Sequence, residues 1–229
     1  MGYSRFMQAQ APALVLTGEQ RATLVRRTYL LVFASVIVTT IGTSVAMTQE
    51  ALLISAARHP IITMLLAMVP LWMAMKTRDS APRALGFVFL FNLVMGVAIA
   101  PVIYVYSRNE PGIVAQAGIL TLSTFGILTL YAWVSRRDFS AWGSFLVVGL
   151  WVLIGTSLLN MFFRNQTAGL WLAGVSVLLF SGLLVFDTWR LRNVYGPDDY
   201  VPAAVQIYLD LLNMFMAILS LLGGGRNRS

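Results

Sequence analysis

Five stretches of this chain, residues 28–47, 60–75, 84–107, 111–135 and 139–163, contain no charged side chain at all. A helix needs about 20 mostly apolar residues to cross the hydrocarbon core of a bilayer. The shortest stretch, 60–75, is therefore expected to extend at one end. Two more apolar runs, about 165–189 and 201–222, carry one acid each, Asp187 and Asp210. Closed β-barrels are the other way to span a membrane. They need short strands that alternate polar and apolar residues, and these runs do not alternate. The expected fold is all-α: a polytopic membrane protein with seven transmembrane helices.

Composition agrees with that reading. Only 11% of the residues are charged and 58% are hydrophobic, whereas a soluble domain carries about 25% charged residues. With no cysteine, disulfides, thiolate-bound zinc and thiol chemistry are excluded. The net charge of +7 would suit nucleic acid in a soluble protein. In a membrane protein it is what basic loops produce, and no nucleic-acid partner is expected.

The loops at 76–83, 108–110 and 136–138 leave no room for a soluble domain, so function must reside in the helix bundle. Three segments are expected: a polar tail over 1–27, a transmembrane domain over 28–222 and a short basic tail over 223–229. The first apolar run is too long for a signal-peptide core and is expected to be retained. One side of the membrane receives 11 Lys and Arg, from the N-terminal tail and the loops after the second, fourth and sixth spans; the other receives 5. By the positive-inside rule the N-terminus faces the cytoplasm. Seven spans then place the C-terminus outside, against the pull of Arg226 and Arg228. Small residues such as Gly42 with Ala46, and Gly169, Gly174 and Gly182, are read as close helix packing.

Seven of the nine acidic residues fall in loops or at helix ends, which leaves Asp187 and Asp210 inside apolar spans. An Asp near the centre of a membrane helix costs about 2.5–3.5 kcal/mol, and such residues usually face a polar cavity or a partner. The two lie 23 residues apart on consecutive antiparallel spans. At a rise of about 1.5 Å per residue they sit at similar depth, roughly 10 Å or less from the connecting loop. At about 5 Å separation and an effective dielectric of 20, two carboxylates repel by roughly 3 kcal/mol. The pair is expected to share a proton and titrate as one unit. When doubly ionised it could take a hard cation such as calcium, which prefers oxygen ligands.

Gln206, Asp210, Asn213, Ala217 and Ser220 recur every three or four residues, making one polar-to-small stripe on the last helix. Asn92 in the third span and Asn160 in the fifth are candidates to face it along a polar pathway. Lys76, Arg78 or Arg190 could supply a cation to an ionised aspartate. The competing reading is an interhelical hydrogen-bond cluster that only fixes packing.

Several of these residues carry a family resemblance. The segment Gly182-Leu-Leu-Val-Phe-Asp187-Thr188 resembles the Phe-Asp-Thr signature of the transmembrane Bax inhibitor motif family. Asp199-Tyr200, Tyr208-Leu-Asp210-Leu-Leu-Asn213 and Leu222-Gly223-Gly224 are similar to its last loop and helix. Trp72-Met73, Gly86-Phe-Val-Phe, Gly96 and Pro101 are similar to its second and third spans. The resemblance covers most of the chain from about residue 28 and is of the bacterial type. It implies a seven-helix fold with the last helix at the centre. It also implies a pH-sensitive calcium leak, with Asp187 and Asp210 as sensor and gate and as transient calcium ligands. Relatives regulate cell death and calcium stores, and some bacterial ones are linked to membrane proteases.

Other classes fare differently. A retinal protein needs a late-helix lysine, and the only lysine is Lys76, in a loop. Intramembrane aspartyl proteases share a Gly-x-Gly-Asp motif, but here Tyr208-Leu209 precedes Asp210. A Ser/His dyad lacks a suitable histidine, since His59 stands beside Arg58 at a span boundary. A cation/proton exchanger and a non-conducting regulator of other membrane proteins, such as a protease, stay open as alternatives. The expectation is a non-enzymatic protein of the bacterial plasma membrane. It would need no resident cofactor, and its partners would be the lipid bilayer, calcium and protons, with other membrane proteins an open class.

Overall fold

A computed structural model describes residues 16–77 and 80–226. They form eight helices and no strand: α1 Gly18–Thr48, α2 Glu50–Arg58, α3 Pro60–Lys76, α4 Ala81–Asn109, α5 Ile113–Val134, α6 Trp142–Phe163, α7 Gln166–Asn193 and α8 Tyr200–Arg226. Six of them are long and apolar enough to cross a membrane. The pair α2 and α3 makes a seventh, broken span, bent by 101°.

Local chemistry sets these boundaries. Thr17 and Gln20 form a reciprocal capping box, each side chain bonded to the other's backbone N–H, which satisfies two donors that a helix start leaves unpaired. Helix α1 therefore begins at Gly18, ten residues before the span expected from hydropathy, and the expected tail over 1–27 lies partly inside it. At the other end α8 includes Gly223 to Arg226, so the helix runs into the expected basic tail. The break between α2 and α3 falls at His59, which precedes Pro60 and has φ −128° and ψ 55°. A residue before proline is pushed out of the helical region, and Pro60 then starts the next helix. The second span thus gains its length as a bend and not as a straight extension. Helix α3 alone has 17 residues, about 25 Å.

Helix α8 packs against α1, α4, α5 and α7 and is the most buried of the spans, so the last helix is central. Tyr208, Ile207, Met214 and Leu219 are buried with Phe91, Leu184 and Leu191. Helices α1 and α4 approach closely through Gly42 and Gly96. A Cβ on either would meet the partner's backbone, the Leu93 carbonyl and the Thr39 carbonyl respectively. The same crossing carries a hydrogen bond from the Thr43 hydroxyl to the Gly96 carbonyl at 3.0 Å. The outer helices show apolar side chains to the surroundings: Phe145, Phe162, Phe163, Trp171 and Leu178 are each about three-quarters exposed. A surface of that kind suits hydrocarbon, not water.

Candidate functional site

Asp187 lies on α7 and Asp210 on α8; both are buried. They sit on the two helices' shared face, close enough for their carboxyl groups to interact. Helix α7 continues to Asn193, a turn and more past Asp187, which sets that residue level with Asp210 on the antiparallel partner.

The two acids have different surroundings. Arg190, three residues on from Asp187, donates from Nη1 to Asp187 Oδ1 at 3.1 Å and also to Gln206 Oε1 at 3.0 Å. Tyr195, in the loop between α7 and α8, donates its hydroxyl to the same Gln206 oxygen. Burial pushes the Tyr195 phenol up to about 12, against the pull of Arg190, so it stays a neutral donor at every ordinary pH. Asp210 has no such company. Its Oδ2 is buried and receives no hydrogen bond from any N–H or hydroxyl among the described residues.

Two more arginines fix this end of the bundle. Arg21 of α1 donates from Nη1 to the carbonyls of Leu191 and Tyr195, both at 2.9 Å. Arg192 donates to the carbonyls of Trp133 at 2.6 Å, Ser135 at 3.0 Å and Ala132 at 3.4 Å. Carbonyls at a helix C-terminus lack intrahelical partners, and a cation there also meets the negative end of the helix dipole. Arg21 thus ties α1 to the end of α7, and Arg192 ties α7 to the end of α5. The C-terminal end of α7 is tied in this way to both α1 and α5, and Asp187, about a turn and a half before that end, lies on the side that meets α8. In the sequence Arg21 and Arg192 enter only the count of basic residues that sets topology, and nothing there marks Tyr195. The Thr17-x-x-Gln20 pattern was the available sign that α1 starts early enough for Arg21 to reach α7.

The remaining expected site residues scatter. Gln206 joins the cluster. The Asn213 amide turns back to the Leu209 carbonyl of its own helix at 2.8 Å. Asn92 is fully buried on α4, with neither amide atom hydrogen-bonded among the described residues, next to Phe91, which packs edge-to-face on Tyr208 at 5.9 Å. Asn160 sits against Gly169 at the start of α7. That is about 27 Å of helix from Asp187, so Asn160 does not join the aspartates. The Lys76 ammonium lies over the Trp72 ring at 3.7 Å and does not reach Asp187; of the three basic residues expected beside the acids, Arg190 does. Arg78 lies outside the described residues.

A cavity of about 380 Å³ lies between α1, α4, α5 and α8, lined among others by Thr39, Thr43, Thr121, Tyr208, Leu211 and Phe215. The Tyr208 and Thr39 hydroxyls meet at 2.6 Å on its wall. Tyr208 and Asp210 are two residues apart, about 200° around the helix. The cavity therefore opens on the face of α8 opposite to the polar stripe, which is turned towards α7.

No group of three or more His, Cys, Asp or Glu side chains among the described residues is placed to hold a metal ion. Two carboxylates offer fewer oxygens than the six to eight that calcium takes.

Comparison with known proteins agrees with this architecture. The family described as "Inhibitor of apoptosis-promoting Bax1" matches residues 21–227. Protein lifeguard 4 of Mus musculus is 32% identical over 205 residues, covering 88% of this chain and 85% of its own. Bax inhibitor 1 of Schizosaccharomyces pombe is 31% identical, covering 89% and 77%. A membrane protein of Vibrio cholerae is 33% identical, covering 87% and 88%.

Proposed function

This chain belongs to the Bax inhibitor family of integral membrane proteins, and from that premise we propose that it is a passive, pH-sensitive calcium leak gated by Asp187 and Asp210. The observation that carries the reading is the buried Asp210 Oδ2, whose neighbour is another carboxyl and not a donor. An acceptor left unpaired in such a place costs about 1–3 kcal/mol. One proton between the two carboxyls removes that cost. It also makes the cluster of Arg190, Asp187 and Asp210 neutral, which a low-dielectric setting favours.

The gate follows from that proton. While it is present, a hydrogen bond joins α7 to α8. As the pH rises it leaves, and two like charges face each other. Arg190 can compensate one of them, but its Nη1 is already shared with Gln206. The helices separate, and the freed carboxylates present oxygen to calcium. The step makes and breaks only hydrogen bonds and ion contacts, and no covalent chemistry is assigned to the protein. The charge count over the loops orients the N-terminus to the cytoplasm, which puts the pair in the cytoplasmic half, and a bacterial plasma membrane is the setting proposed.

The test is purified protein in liposomes loaded with a calcium dye, stepped from about pH 5 to about pH 8. The expected result is downhill calcium entry that grows with pH and loses that dependence in Asp187→Asn and Asp210→Asn. Flux no greater than in empty liposomes would overturn the leak in favour of a non-conducting regulator of other membrane proteins. Uphill movement driven by a proton gradient would make it an exchanger.

A further inference from the structure

A second polar feature lies at the same end of the bundle, away from the aspartates. An open pocket of about 310 Å³ is lined by Arg136, Arg137, Asp138 and Ser140 of the loop between α5 and α6, and by Trp189, Arg192 and Asn193 of α7. The three α7 residues are spaced i, i+3 and i+4, so they share one helix face. Arg192 is held in place by three carbonyls at the end of α5. Asp138 is occupied in part by the Ser140 N–H, which its Oδ1 accepts at 2.8 Å. Arg136 and Arg137 are exposed, and their side chains form no ion pair or hydrogen bond among the described residues. Three guanidiniums against one carboxylate leave the pocket positive.

Its surroundings say what kind of anion it meets. The pocket is walled by the loop that joins α5 to α6 and by the last turns of α7, so it sits where spanning helices leave the hydrocarbon. On the two helices that the loop joins, apolar side chains are turned outward: Val134, the last residue of α5, is 73% exposed and Phe145, in the first turn of α6, 77%. The Trp189 indole stacks on Phe186 with ring centres 6.0 Å apart, and Trp is the residue that favours the headgroup level. A molecule fitting both parts has an anionic head for the arginines and an apolar body for Val134 and Phe145. We infer that this pocket binds the phosphodiester headgroup of an anionic glycerophospholipid, its acyl chains lying along α5 and α6. Guanidinium suits the head because its planar fork donates two parallel hydrogen bonds to phosphate oxygens. Basic pockets between membrane helices are used in this way.

The test is lipid retention by the full-length protein in detergent, read by native mass spectrometry. Phosphatidylglycerol is offered beside a diacylglycerol with the same chains, and inorganic phosphate is tried separately by thermal unfolding. The wild type is expected to retain phosphatidylglycerol over diacylglycerol by roughly tenfold, and Arg136→Gln with Arg137→Gln to bring the two close to parity. Arg192 is left unchanged because it also ties α7 to α5. Matched unfolding temperatures of wild type and double variant without lipid would show the fold intact. Equal retention of the two lipids by the wild type, or undiminished retention by a folded double variant, would overturn the site. Stabilisation by inorganic phosphate with no lipid preference would overturn the lipid assignment.

Discussion

Arg190 and Asp187 form an ion pair of 3.1 Å within α7, on the side of the helix that meets α8. The same nitrogen reaches Gln206 of α8, and the Arg190 guanidinium lies over the Tyr195 ring at 4.8 Å. Whatever moves Asp187 must therefore also disturb the α7–α8 contact. Under the proposed function, this contact is what would link a proton on the acids to the position of two helices.

Replacing Arg190 with Gln removes the cation that stabilises an ionised Asp187 and spares much of the packing. The leak is then expected to need more alkaline conditions, because ionisation has lost its counter-charge. The check is the pH at half-maximal calcium flux in liposomes. An unmoved midpoint would mean that Arg190 only braces the helix.

Asp210→Asn keeps the shape of the side chain and supplies an N–H that Asp187 can accept. The helices then stay joined at every pH. Calcium flux from about pH 5 to about pH 8 should become flat and low, while the unfolding temperature in detergent should change little. A variant that leaks with the wild-type pH profile would remove Asp210 from the gate.

Tyr195→Phe deletes the hydroxyl that donates to Gln206, at an expected cost of about 1 kcal/mol in stability. The phenol is raised from 10.0 to about 12. A group raised in this way contributes stability that is complete below about pH 10 and is lost as the pH climbs through 12. The difference in unfolding temperature between wild type and variant should therefore be constant across neutral pH and narrow only in strong alkali.

Gly96→Ala drives a methyl group into the backbone of α1 at the Thr39 carbonyl. Neither helix backbone can yield cheaply, and overpacking of this kind costs about 1–3 kcal/mol. Gly118→Ala is the matched control, since nothing lies within 4 Å of the added carbon. It should be neutral or slightly stabilising, because glycine inside a helix is unfavourable by about 1 kcal/mol. Thermal unfolding of the two variants side by side separates the cases.

Much of this architecture was legible in one dimension. The spans could be read because charge-free runs concern the solvent, and the bilayer imposes the same length on every helix. Asp187 and Asp210 stood out for the same reason, as acids where an acid is costly. Smaller signals were present but outweighed. Thr17-x-x-Gln20 marks the true start of α1, and His59-Pro60 marks the bend that hydropathy blurs.

The choice of partners belonged to the tertiary structure. Lys76, Arg78 and Arg190 were equivalent as charges near the acids. Only the fold sends Lys76 onto Trp72 and Arg190 onto Asp187. Asn160 and Gln206 were likewise both polar residues in apolar helices, yet one faces Gly169 at the far end of α7 and the other completes the cluster. Hydropathy is a property of each residue against its solvent, so it survives in a linear string. Which two side chains meet depends on helix rotation and tilt, and these are set by backbone contacts such as Gly96 on α1 and by the arginine ties at the helix ends.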